Sequence, residues 1–395
     1  MIWNEFRKIW NPYSLILISV IGATLLYSWV AGQMNLKYLP ISETIELEIG
    51  EELHAKYGDE LDSAELQEIE KLYDEARKDL NEKVLRAHPE LMDMGYQSYE
   101  ELEQNYTFYD DSEDTLEDRT LQEKASELYF QISDEFAYEI ETCNTYQSIA
   151  VKNNIMPYWD VYQEKNMHLK KRLTEIQSRD TISVLPYQVT SNMGFVMEDY
   201  ASITMYLIIL LVFPFLAMDN KRKVYPVVAT TKTGRRLIIY QMIVMLLSVI
   251  LLLIVWNTAF YLVYQRMTPY EPYEQCLVPD LWFDWTWSQY FRIWIGMLDI
   301  GAIAFAMVLF FLSSMCKTIV GTVAMALPCL GVGEIISLYF FPKIFRLPNY
   351  GSLYDITVGQ GKYFSVVAEI LMLLLGVVLL ICLYHNRKVQ DIAEE

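Results

Sequence analysis

The chain has 395 residues, is 53% hydrophobic, and carries a formal net charge of −20. That charge is local: residues 34–199 hold 38 acids against 15 bases, and the remainder is slightly positive. So acidic a segment repels phosphates, which excludes nucleic acid as a partner and speaks against an anionic lipid surface for this part of the chain.

In chain order, residues 1–12 come first. Ile2, Trp3, Phe6, Ile9 and Trp10 alternate with Asn4, Glu5, Arg7 and Lys8. On a helix this gives one apolar and one charged face, suited to lying in a membrane interface. Six apolar runs then follow: Tyr13–Gln33, Tyr200–Met218, Leu237–Tyr264, Phe291–Met315, Thr318–Phe341 and Tyr363–Tyr384. Each reaches the roughly 20 residues that cross about 30 Å of hydrocarbon. The first run is too long for a typical signal core and is expected to be retained. The expected fold is an all-α membrane protein with six transmembrane helices and a large, mainly helical extracytoplasmic domain between helices 1 and 2. Its parts are an interfacial helix (1–12), transmembrane helix 1 (13–33), the extracytoplasmic domain (34–199), transmembrane helix 2 (200–218), a cytoplasmic loop (219–236), transmembrane helices 3–6 (237–385) and a tail (386–395).

The insert reads as helical. From Asp62 to His88, apolar residues recur every three and four positions. Asp62 with Glu65 forms a capping box, and Pro89 is the stop. Ser98 with Glu101 marks another start. Residues 115–153 form a third stretch and 158–179 a fourth. Some 150 residues in such stripes are enough to bury a core.

Positive charge sets orientation. Arg7 and Lys8, the cluster Lys221, Arg222, Lys223, Lys232, Arg235 and Arg236, then Lys317, and finally Arg387 and Lys388 fall on one side of six crossings. That side is expected to be cytoplasmic, with both termini inside and the acidic insert outside. Lys343, Arg346 and Lys362 are exceptions to this pattern. Trp282, Trp285, Trp287 and Tyr290, just before the fourth run, are expected to form an interfacial aromatic belt.

Asp299, Glu334 and Glu369 lie within runs four, five and six, roughly 9–12 Å from the outer ends. Arg292 stands about two turns from Asp299. Carboxylates at such depth face a bundle interior or water. Two readings stay open: a polar cavity that binds a cationic substrate or relays protons, and structural glue in which the acids are protonated or paired with Arg292 and polar neighbours.

Other chemistry has no motif behind it. The five cysteines contain no Cys-x-x-Cys, and the four histidines have no metal-ligand spacing. Whether Cys143 meets Cys276 stays open. No Gly-x-Ser-x-Gly or His-Glu-x-x-His occurs, and no Gly-x-x-x-x-Gly-Lys-Ser/Thr, so the chain has no phosphate-cradling loop of its own.

At the inner end of the second run the chain reads Phe213-Pro-Phe-Leu-Ala-Met-Asp219, continuing through Lys-Arg-Lys-Val-Tyr-Pro to Thr230-Thr-Lys-Thr-Gly234-Arg235-Arg236. This resembles the permease subunits of type-2 ABC exporters, in which an acidic residue ends the second span and a short cytoplasmic helix leads to a Thr/Ser–Gly–Arg segment. The likeness extends to six spans and the N-terminal elbow, and does not reach the insert. It departs at Asp219, where the family usually has Glu, and at Gln241, where a Lys commonly follows. The resemblance implies a plasma-membrane protein of a bacterium that exports a peptide, antibiotic or lipid-like cargo. It also implies a second permease subunit, like or related, and separate cytoplasmic ATPases that hold ATP and Mg. Asp219, Lys221, Arg222, Lys223, Tyr225, Thr230, Gly234, Arg235 and Arg236 would then contact the ATPase, and this chain would be neither an enzyme nor a cofactor binder. The alternative is a non-transporting sensor or assembly scaffold that signals through such an ATPase.

Overall fold

A computed structural model describes residues 2–31, 40–107, 116–150, 166–221, 237–267, 271–316, 318–347 and 361–393. The chain divides into two compact units. One comprises Met1–Asn35, Asp160–Thr174 and Thr190–Glu395, the other Leu36–Trp159 and Glu175–Val189. Residues 166–174 and 190–199, read from the sequence as part of the insert, belong to the apolar unit.

The apolar unit contains six helices long and apolar enough to cross a membrane, the mark of a multi-pass membrane protein: Pro12–Val30, Tyr187–Phe215, Leu237–Arg266, Trp287–Met315, Val320–Lys343 and Phe364–Asn386, numbered here as spans 1 to 6. Local chemistry fixes their starts. Asn11 accepts from the amides of Tyr13 and Ser14, with Pro12 in the first turn, where its missing N–H costs nothing. Thr286 and Gln289 form a reciprocal cap on span 4. Thr318 accepts from the Gly321 amide at 3.0 Å ahead of span 5. The helix of span 2 begins at Tyr187, well before the apolar run at Tyr200, and continues to Lys221. Val189, Met193, Val196 and Met197 bury its early face, while Gln188, Asn192, Glu198 and Asp199 interrupt the hydrophobic signal. Ser313 of span 4 donates to the Phe213 carbonyl at 3.0 Å, tying spans 2 and 4 together beside Pro214.

The segments joining spans 3–4 and 5–6 knit together. The Trp282 amide donates to Phe345 O at 3.0 Å and the Leu347 amide to Asp280 O at 2.7 Å. Arg346 lies 3.6 Å from Asp280 and donates to Thr190 O. Arg172, on the Met167–Gln177 helix, donates to Leu281 O at 3.0 Å and to Asp284 at 2.6 Å. Lys362 stands 4.4 Å over the Phe283 ring. The cations that broke the charge pattern at Arg346 and Lys362 are therefore used locally. The expected aromatic belt is corrected here. Trp282, Trp287 and Tyr290 are buried in the unit itself, with Trp287 donating to Tyr264 Oη at 3.1 Å. Their rings fill a packed cap, where a belt would leave each half wet.

The second unit is helical, with one antiparallel pairing of Glu60–Leu61 with Ile182–Ser183. The Ser63–Ala87 helix carries the Asp62–Glu65 capping box at its start and ends at His88, as its residues predict. The Ser98 start is also present: Ser98 Oγ accepts from the Glu101 amide, ahead of the Tyr99–Thr107 helix. The third stretch is two helices, Leu116–Glu135 and Ala137–Ala150, parting at Phe136. A helix over Ile41–Tyr57 was not anticipated. It ends at Gly58, whose φ of +90° favours a residue without a Cβ. Two cores result. One gathers Leu80, Val84, Leu102, Leu128, Ile132 and Ile140, the other Ile45, Ile49, Leu53, Leu61, Ile69 and Ile182.

Candidate functional site

The first element of interest is the joint between the N-terminal helix and span 3. The Ile2–Ile9 helix turns Glu5 and Ile9 inward. Glu5 is 4% exposed and accepts from Gln241 Nε2 at 3.3 Å on span 3, while Lys8 closes on its other oxygen at 2.8 Å. Trp10 donates to Ser248 Oγ at 3.0 Å, one further point along span 3. Ile2 and Trp3 are left exposed, the apolar surface an interfacial helix needs. The helix thus docks through Glu5 and Ile9 and leaves Ile2 and Trp3 for lipid. Gln241 is the span 3 half of the joint.

The segment expected to meet an ATPase follows span 2. Asp219 and Lys221 lie in the final helical turns of that span. Arg222, Lys223, Tyr225, Thr230, Gly234, Arg235 and Arg236 lie outside the described residues.

Asp299, Glu334 and Glu369 stand in separate arrangements. Asn257 Nδ2 of span 3 donates to both Asp299 oxygens, at 3.1 and 2.9 Å, while its own oxygen accepts from Tyr200 Oη of span 2 at 2.6 Å. One amide thus satisfies a carboxylate and a phenol and ties spans 2, 3 and 4. Tyr200 is fully buried, stacked on Phe260 with ring centroids 3.9 Å apart. Glu334 of span 5 is held by Tyr206 Oη of span 2, whose ring meets Trp29 of span 1 edge-on. Gly333 alongside lets span 5 approach Met205 and Phe305. Glu369 of span 6 is buried without any such partner. Arg292 plays no part in these groups: it is exposed and donates to Ser288 on its own helix. Of the partners that the glue reading offered, polar neighbours hold Asp299 and Glu334, and Arg292 does not. An amide and a phenol satisfy a buried acid without importing a second charge that would also have to be desolvated.

Asn257, Tyr200 and Tyr206 were missed from the sequence, although an Asn in the run Leu-Ile-Val-Trp-Asn257-Thr is a visible signal. Cys143 lies in a core of the second unit and forms no disulfide.

Comparison with known proteins gives no match: no family model, curated protein or solved structure is similar to this chain.

Proposed function

We propose that this chain is the membrane-spanning permease subunit of an ATP-driven exporter of the type-2 ABC class, worked by a separate cytoplasmic ATPase. The observation that carries the reading is the joint at the base of span 3. A basic segment, residues 219–236, connects spans 2 and 3, and the Glu5–Gln241 and Trp10–Ser248 bonds fasten the N-terminal helix to span 3. A partner that pushes on the basic segment would then move two spans and an interfacial helix as one lever. The Tyr200–Asn257–Asp299 chain would carry that movement into span 4. With no phosphate-cradling loop in the chain, the nucleotide would bind to a second protein. In this proposal the basic segment and both termini are cytoplasmic, the acidic insert is extracytoplasmic, and a second permease subunit completes the translocation path.

The test is co-purification of the full chain from its own membrane, followed by reconstitution of the complex in liposomes. An ABC ATPase is expected to accompany the chain, and replacement of residues 225–230 by Gly and Ser should abolish coupled hydrolysis with membrane insertion unchanged. Purification without an ATPase, or unaltered hydrolysis in the replacement, contradicts the reading. Hydrolysis without movement of cargo would assign the chain to signalling instead.

A further inference from the structure

Glu369 differs from every other acid in the spans. It is 2% exposed, and neither carboxyl oxygen has a hydrogen-bond partner among the described residues. It lies against span 4. A Cβ on Gly301 of span 4 would stand 3.9 Å from Glu369 Oε1 and 2.6 Å from the Phe341 ring. Seven residues along span 6, a Cβ on Gly376 would stand 2.9 Å from Met307 Cβ and 3.4 Å from the Ala304 carbonyl. Glycines on both helices thus let spans 4 and 6 pack closely, Gly301 beside the carboxyl and Gly376 two turns further along, the close approach that small residues permit within a membrane.

Among the described residues, no ionisable group on a neighbouring element bonds to Glu369. On span 4, Asp299 is held by Asn257, Arg292 by Ser288, and Tyr290 donates to Pro342 O. On span 3, Tyr264 accepts from Trp287, Tyr261 from Gln265, and Arg266 stands in the last turn. Tyr240 of span 3 and Lys343 beside Phe341 likewise make no hydrogen bond to Glu369. An ionised carboxylate with neither donor nor counter-charge is not sustained in such a place; it takes up a proton.

We propose that Glu369 is a proton-binding site, occupied in this conformation, whose proton exchanges only when spans 4 and 6 part far enough to admit water. On release the O–H bond breaks, its electron pair stays on the carboxylate, and the proton leaves as hydronium on the entering water. Reloading is the reverse, so no other reactant is required. The inference stands independently of any ATPase.

The experiment is infrared difference spectroscopy on the full chain in phosphatidylcholine liposomes, parent against Glu369→Gln, with Glu369→Leu as a second variant. The expected result at neutral pH is a carbonyl band of a protonated carboxylic acid in the parent, lost in both variants. Loss of an ionised-carboxylate band instead, in sodium or in a bulky organic cation, overturns the proposal. Transfer to heavy water reads the second half: the band should shift slowly in the parent and faster in Gly376→Val, which forces Met307 away. Equal rates overturn the gating by spans 4 and 6.

Discussion

His88 is 4% exposed, and both ring nitrogens face carboxylates, Nδ1 to Glu90 and Nε2 to Glu135, each at 3.0 Å. Only the doubly protonated ring donates from both nitrogens. Burial works against the charged form, but hydrogen bonds to the two carboxylates outweigh it and raise the imidazole above its ordinary value. A group raised on folding contributes stability that is complete below its unfolded pKa of about 6.5 and is lost as pH rises through the folded value. The Ser63–Ala87 and Leu116–Glu135 helices, which this clasp joins, should therefore lose hydrogen-exchange protection as pH rises above neutrality, after correction for intrinsic rates. His88→Gln should abolish that trend, and protection that grows with pH would contradict it. At this scale the sequence was partly legible. Asp62, Glu65 and Pro89 act on backbone within a few residues, so their roles can be read directly. His88 and Glu135 are 47 residues apart, and no local rule pairs them.

Among elements, spans 2, 3 and 4 depend on one side chain. Removing Asn257 leaves Asp299 without a donor and Tyr200 Oη without an acceptor, at a cost of about 1–3 kcal/mol for each stranded polar group. Asn257→Leu should lower the thermal midpoint of the full chain in detergent. Because the cost lies in the stranded acid, Asn257→Leu with Asp299→Leu should recover part of the loss, and a double-mutant cycle measures that coupling. Strict additivity would show that the two do not act together. Arg292 looked like the partner for Asp299 because it shares a helix and has opposite charge. Seven residues place it two turns away, and a donor on the neighbouring span reaches first. The Ile41–Tyr57 helix was hidden for a different reason. Its buried Ile45, Leu47 and Ile49 alternate as a strand would, and acids fill the positions between. The start of span 2 was hidden because Gln188, Asn192, Glu198 and Asp199 interrupt its apolar pattern, although the helix they occupy buries Val189, Met193, Val196 and Met197.

For the whole molecule, six spans were legible because an unbroken run of about 20 apolar residues matches the thickness of a bilayer and exceeds what a water-soluble core usually buries in one stretch. The pairing of span with span was not, since lipid-facing and protein-facing apolar residues look alike in composition. Ile254, Val255, Leu371 and Leu374 remain exposed on the protein surface while Val244, Leu298 and Leu309 are buried, and hydropathy ranks them together. The account depends on sidedness, because a lever driven by cytoplasmic ATP hydrolysis needs residues 219–236 on the side that holds ATP. Charge bias alone assigns that side, through Lys and Arg near the span ends. The direct measurement places single cysteines at Glu70→Cys and Lys232→Cys in a chain freed of its own five cysteines, then labels intact cells with a membrane-impermeant maleimide. The account predicts rapid labelling at position 70, with position 232 labelled only after the membrane is opened. Labelling of both positions from the same side would contradict it.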